Sequence, residues 1–255
     1  MVEGFTEFLP VSSTAHLILT AHVLGLSQTA LVKTFEIAIQ SGAIVAVLCV
    51  YWKKFLDKAI FLKVLAAFIP TAIIGLALYK VAKEYFLDNI PLTLWALALG
   101  GAVLIIFELF FNRKQLGPEN CDPNQDQSIR SMSYWKVALI GLFQALAIIP
   151  GVSRSAATIV AGRLLGMNRA AIVEFSFLLA VPTILAATGL DLVKNIHLFT
   201  AHDSGLVLIG FISSFVFALI SIRFLLAYIR KHSFIEFGIY RILLVVVFVV
   251  FFFTR

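Results

Sequence analysis

Glu3-Gly4-Phe5-Thr6-Glu7-Phe8-Leu9-Pro10-Val11-Ser12-Ser13-Thr14-Ala15-His16 places two carboxylates, a run of three hydroxyls and an imidazole in a chain that is otherwise mostly hydrocarbon. If Glu3 to Leu9 is helical, Glu3 and Glu7 share one face, because side chains at i and i+4 lie one above the other. Pro10 ends or kinks that helix, since it lacks an N–H and clashes with the preceding turn. The break leaves backbone N–H groups unpaired beside Ser12, Ser13 and Thr14. A helix that restarts after Ser13 brings His16 one turn on, facing the hydroxyls. The stretch reads as an acid pair, a broken backbone, a hydroxyl cluster and an imidazole.

The surroundings decide what such a break means. Of the 255 residues, 61% are hydrophobic and 13% charged, against about 25% charged in a soluble domain. The mean hydropathy is +1.00, and several apolar runs reach the roughly 20 residues that span a bilayer. The chain is read as an all-α polytopic integral membrane protein. Its net charge of +6 sits in short segments between apolar runs, as the positive-inside rule produces, so no nucleic-acid partner is expected. Cys49 and Cys121 suggest neither a disulfide framework nor a metal motif. No cleavable signal peptide is visible. Because Met1-Val2 runs straight into the motif, part of a first hydrophobic segment is expected to be missing ahead of it.

Residues 14–26 are too few and too polar to span alone. Spans are expected at 35–52, 64–79, 90–111, 171–190, 205–228 and 242–253. Residues 53–63 hold Lys53, Lys54, Lys58 and Lys63 against Asp57 and read as a cytoplasmic loop. The loop 80–89 balances Lys80 and Lys83 against Glu84 and Asp88 and reads as external. Residues 191–204 form a nearly neutral loop, and 229–241 a loop carrying Arg230, Lys231 and Arg241. Residues 112–133, with Gly117, Pro118, Asp122, Pro123 and Asn124, have turn chemistry and form a polar linker. An apolar piece, 134–150, carries Gly141 and Gln144 and stops at Pro150. A second dense motif follows, Pro150-Gly151-Val152-Ser153-Arg154-Ser155-Ala156-Ala157-Thr158, leading into a short apolar return, 156–166.

The order repeats. Gly4-x-x-Glu7 before Pro10-Val11-Ser12 parallels Gly141-x-x-Gln144 before Pro150-Gly151-Val152-Ser153, and Glu174 follows Ser153 much as Glu36 follows Ser12. Each half is a non-spanning helix pair followed by three spans. Three is odd, so the halves enter the membrane from opposite sides. This is an inverted-topology repeat whose broken pairs meet near the midplane. The chain is one membrane domain, 1–255, with repeat one at 1–111, the linker at 112–133 and repeat two at 134–255.

A carboxylate at a helix centre in lipid costs about 2.5–3.5 kcal/mol on translocon scales. Glu3 and Glu7 either lie near an interface, hold a divalent cation together with phosphate oxygens, or supply a proton acceptor. One hydroxyl after a proline is explained as an N-cap; three beside a histidine suggest more, with Ser13 and His16 at i, i+3 as nucleophile and base. Arg154 at the second break needs an anion, and its planar fork suits phosphate oxygens. A structural ion pair with Glu7 or Glu174 is the alternative. Ser153, Ser155, Thr158 and the N–H groups opening 156–166 would add donors. Gln40 and Gln144 read as polar lining, Arg163 and Arg169 as interfacial anchors, and His22 as an interfacial residue. Phosphoryl transfer uses the acids, the Ser/His pair and the arginine; acyl transfer has no need of the arginine. A secondary transporter or lipid flippase for an anionic substrate is the rival class, and it needs an anion site but no nucleophile. A structural ion-pair core without activity is a second rival.

These residues resemble the bacterial undecaprenyl-diphosphatases, also called bacitracin-resistance proteins. The resemblance rests on Glu3 to His16, on Pro150 to Ser155 and on Glu174-Phe175-Ser176-Phe177-Leu178-Leu179-Ala180, and it runs the whole length. It implies removal of the terminal phosphate of C55 polyprenyl diphosphate, giving the monophosphate carrier lipid of cell-wall synthesis and resistance to bacitracin. It also implies a divalent cation, Mg²⁺ with Ca²⁺ as the alternative, and a multi-pass protein of the bacterial cytoplasmic (inner) membrane whose site opens to the periplasmic or extracellular side. The implied fold is an inverted repeat with two re-entrant helix pairs. By matching position, Glu3 and Glu7 are the acidic, cation-holding pair, Glu7, Ser13 and His16 are catalytic, and Ser13 is the nucleophile. Ser153 and Arg154, with Ser12, Thr14, Ser155 and Thr158, hold the diphosphate. The partners are the polyprenyl lipid and the bilayer, and a homodimer is compatible with this reading. Ala15 and Ala156 stand where the family usually has glycine.

Overall fold

The computed structural model describes residues 1–27, 29–87, 89–111, 129–195 and 201–253. In chain order the helices are α1 (Val2–Thr6), α2 (Ser13–Val23), α3 (Ala30–Leu56) and α4 (Lys58–Val81), the last running into a π-helical turn (Ala82–Phe86). Then come α5 (Ile90–Phe111) and α6 (Tyr134–Gln144), which tightens into a 3₁₀ turn (Ala145–Ile148). They are followed by α7 (Arg154–Leu164), α8 (Arg169–Asn195), α9 (Ala201–Tyr228) and α10 (Ile235–Phe253). No strand occurs among the described residues. Five of these helices, α3, α4 with its π turn, α5, α8 and α9, are long and apolar enough to cross a bilayer. The protein is therefore a multi-pass membrane protein. By contrast α2 and α7, 11 residues each, rise only about 16 Å, roughly half the hydrocarbon thickness.

The packing follows from where small and large apolar residues lie. α3 and α8 occupy the centre and contact each other; α9 lies against α3, α4 against α6 and α8, α1 against α9, and α5 against α10. Phe8, just after α1, meets Phe177 of α8 edge-on at 5.2 Å. Ile44, Val47, Ile172 and Phe175 close the same core without exposure. The outer helices turn apolar rows outward: Ile69, Ile73 and Leu76 on α4, Trp95, Leu99, Val103 and Ile106 on α5, Ile209, Ile212, Val216 and Ile220 on α9. At three- and four-residue spacing these rows make one face per helix. In water each would cost about 25 cal/mol per Å²; in lipid they match their solvent.

Two glycines let the short helices sit against long ones. A Cβ on Gly4 would run into the Ser214 carbonyl of α9, and one on Gly141 into the Ala67 carbonyl of α4. Both breaks therefore seat backbone to backbone.

Five of the six expected spans fall on these five helices, several of which are longer than the apolar runs alone indicate; the sixth, 242–253, falls within α10. Residues 53–63 are not a loop. α3 and α4 nearly abut, with Asp57 capping α4 by accepting from Ala59 N (3.0 Å) and Ile60 N (3.3 Å). The lysines ride the last turn of α3 and the first turns of α4, and cations suit a helix C-terminus. Nor is 229–241 a loop throughout. Ser233 accepts from Ile235 N at 3.2 Å and starts α10 there, which places Tyr240 and Arg241 inside a helix. The expected linker lies largely outside the described residues, as do Asp88 and 196–200. Its last part, however, packs onto the core, with Ile129 fully buried and Lys63 donating to the Met132 carbonyl.

Candidate active site

The helix expected over Glu3–Leu9 ends already at Thr6, four residues before Pro10, and the turn over Ala145–Ile148 ends before Pro150, so each proline lies in the broken stretch itself. Each break restarts on a serine in the left-handed region. Ser12 has φ 69° and Ser153 has φ 73°, a conformation costing about 1–3 kcal/mol in a non-glycine residue. Each is the N-cap of the helix that follows. Ser12 Oγ accepts from Ala15 N at 3.4 Å and Ser153 Oγ from Ala156 N at 3.3 Å. The donors are Ala15 and Ala156. Their methyl groups are buried, and their amides make the caps.

The two breaks are tied to each other. Ser12 Oγ also accepts from Gly151 N at 3.2 Å, and Ser155 Oγ donates to the Leu9 carbonyl at 2.9 Å. Because that proton goes to Leu9, the 3.1 Å contact between Ser153 and Ser155 has Ser153 as donor. Thr158 is fully buried and bonds within its own helix and to Ser176 Oγ at 2.7 Å. Ser155 and Thr158 thus lock the second break and do not line the cavity described below, whereas Ser12, Thr14, Ser153 and Arg154 do.

Glu7 is the hub. One carboxylate oxygen, Oε2, accepts the Ser13 hydroxyl. The other, Oε1, accepts from Arg154 Nε at 3.3 Å and Nη2 at 3.2 Å. Arg154 Nη1 donates at 2.7 Å to the Ser176 carbonyl of α8. The ion-pair alternative for Arg154 is realised with Glu7; Glu174 pairs instead with Lys54 at 2.5 Å. These residues face a cavity of about 110 Å³ lined by Glu7, Ser13, Thr14, Gln40, Ser153 and Arg154. A second, apolar cavity of about 510 Å³ adjoins it, sharing Arg154 and Ala147. Its few polar groups include Gln144, which donates to Thr71 (3.1 Å) and Thr183 (3.0 Å).

His16 does not partner Ser13. Its Nδ1 lies 2.8 Å from the Ser12 carbonyl and its Nε2 2.8 Å from the Tyr240 hydroxyl. A carbonyl only accepts, so the proton sits on Nδ1 and Nε2 accepts from Tyr240. Helical spacing allowed Ser13 to face His16, but Ser13 opens α2 and its hydroxyl turns back to Glu7. Glu3 is fully buried beside Glu7, with neither carboxylate oxygen hydrogen-bonded, and it does not line the cavity. His22 is exposed at the end of α2. Arg163 and Arg169 hold helix ends, Arg163 on the Met167 carbonyl (3.1 Å) and Arg169 on Glu108. Sequence reasoning missed Ser176, Tyr240 and Arg241. Ser176 lay inside a quoted motif, whereas the other two were read as loop.

The chain matches the family model "Bacitracin resistance protein BacA" over residues 1–247. It is 49% identical over 244 residues to an undecaprenyl-diphosphatase of Sulfurihydrogenibium sp. (strain YO3AOP1), covering 96% of this chain and 93% of that protein. The undecaprenyl-diphosphatase of Aquifex aeolicus is 45% identical over 254 residues, 99% of this chain and 95% of that one. That of Thermus thermophilus is 43% identical over 256 residues, 99% and 94%.

Proposed function

The chain belongs to the bacitracin resistance protein BacA family, and from that premise we propose how it works as an undecaprenyl-diphosphatase, converting undecaprenyl diphosphate to undecaprenyl phosphate and inorganic phosphate. The observation that carries the mechanism is the Glu7 carboxylate, which accepts the Ser13 hydroxyl on one oxygen and the Arg154 fork on the other. Ser13 attacks the terminal phosphorus. The Oγ–P bond forms, the bridging P–O bond breaks, and Glu7 takes the hydroxyl proton and passes it to the departing monophosphate. Water then attacks the phosphoserine, giving its proton to Glu7, which returns it to Ser13 Oγ as the serine–phosphate bond breaks. Arg154 and the N–H groups opening α2 and α7 stabilise charge on the transferring group, where most of the barrier to phosphoryl transfer lies. His16 holds the Ser12 carbonyl, and with it the shape of the first break.

A divalent cation fits the acid pair. Glu3 is a buried carboxylate with no donor, pressed beside Glu7, and it calls for a counter-charge. Among the described residues no three metal-ligating side chains cluster. Glu3 lies behind the cavity and both Glu7 oxygens are hydrogen-bonded, so Glu3 and Glu7 would hold a cation only with Glu7 drawn off Ser13 or Arg154, phosphate oxygens supplying the remaining ligands. When bound, the cation supplies positive charge to the phosphates. The apolar cavity beside Arg154 suits the first prenyl units. The inverted repeat is supported by the matched breaks, with Ser12 and Ser153 in the same conformation, α1 seated on α9 and α6 seated on α4. With the lysine-rich α3–α4 junction inside, the site opens to the periplasmic side of the cytoplasmic membrane.

The test is phosphate release from C55 polyprenyl diphosphate by purified protein in detergent with Mg²⁺, beside Glu7→Ala and Arg154→Ala. Turnover that collapses in both variants supports one site built from both motifs. Lipid binding without turnover in the parent would instead indicate a carrier.

A further inference from the structure

Arg241 is the largest side chain buried without exposure, and among the described residues it pairs with no carboxylate. Its five N–H groups meet five carbonyl oxygens. Nε donates to Leu97 (3.1 Å), Nη1 to Pro10 (3.4 Å) and Val152 (3.3 Å), and Nη2 to Gly151 (2.5 Å) and Ala96 (3.3 Å). Pro10 precedes Ser12 and Ser13; Gly151 and Val152 precede Ser153 and Arg154. One guanidinium from α10 therefore holds both breaks against α5. α5 makes room for it, since a Cβ on Gly100 would run into the guanidinium. Carbonyls released by a broken helix find no water in hydrocarbon and are tolerated only where protein supplies donors. Lysine offers its donors from one nitrogen and does not span this set.

We propose that Arg241 is a positioning residue, a clamp that fixes the two broken turns in one register so that Ser13 and Arg154 address the same phosphoryl group. The kinetic consequence rests on the diphosphatase reading; the clamp itself does not.

The experiment compares the parent with Arg241→Met and Arg241→Lys, measuring steady-state hydrolysis of C55 polyprenyl diphosphate and amide hydrogen exchange of the whole chain. A misplaced nucleophile costs about 100-fold in kcat, with KM within about threefold because the headgroup still finds Arg154. Exchange is expected to rise in 10–14 and 151–155 together, with 171–181 of α8 unchanged and Arg241→Lys intermediate. Parental kcat and parental exchange in Arg241→Met would overturn the proposal. So would exchange raised evenly through α8, which marks a general loss of packing. If Arg241→Met does not fold, Arg241→Lys carries the same comparison. A parent that releases no phosphate sinks the diphosphatase reading, while the exchange at the two turns still decides the clamp.

Discussion

Glu7 has two oxygens and both are committed, one to the Ser13 hydroxyl and one to the Arg154 fork. A substitution there disables proton transfer and loosens Arg154 at once. Glu7→Gln keeps the shape and removes the base, so kcat is expected to fall by about 10²–10⁴, measured as phosphate release at saturating lipid. Arg154→Lys keeps the charge and loses the fork; with charged hydrogen bonds worth about 1.5–3 kcal/mol, kcat/KM is expected to drop roughly 10–100-fold. Tyr240→Phe removes the donor to His16 Nε2 and leaves that nitrogen buried without a partner. It is expected to cost about 1–3 kcal/mol, read from thermal unfolding in detergent. The acids, hydroxyls and arginine of the site were legible because such groups are expensive in a hydrocarbon chain. Their pairing was not legible. Helical spacing puts His16 near Ser13, but the positive φ at Ser12, which no spacing rule announces, turns the Ser13 hydroxyl back to Glu7.

At the scale of elements, the two broken pairs depend on backbone contact. Gly141→Ala puts a methyl into the Ala67 carbonyl of α4, and Gly4→Ala does the same at Ser214 of α9. Overpacking of this kind costs typically 1–3 kcal/mol, so both variants are expected to melt earlier than the parent, each through a different long helix. Long spans could be read from composition, because about 20 apolar residues have one use in a membrane. Their ends were less legible. Lys53, Lys54, Lys58 and Lys63 resemble a loop until Asp57 is seen to cap α4. Arg241 reads as an inward-facing surface charge until its five carbonyl partners are in place. A basic residue at a span's edge carries the same sequence signal whether it meets headgroups or broken backbone.

Across the whole molecule, the site exists only because the halves interlock, α1 on α9 and α6 on α4, bringing residues 7 and 154 within hydrogen-bond reach. The opposed entry of the two halves has a direct check. Single cysteines at Gly25 and Glu84, in a chain with Cys49 and Cys121 replaced, are expected to react with an impermeant maleimide from outside intact cells. Cysteines at Lys58 and Ser233 are expected to react only after lysis. The claim that Ser13 and Arg154 serve one phosphoryl group is tested most directly by rapid quench. Polyprenyl diphosphate labelled in its terminal phosphate is mixed with the protein, and the chain is digested and mapped. Label on Ser13, formed as fast as turnover and absent in Ser13→Ala and Arg154→Ala, is the expected result. Turnover that persists at the parental rate in Ser13→Ala, with no label on the chain, would contradict it and leave water as the attacking group.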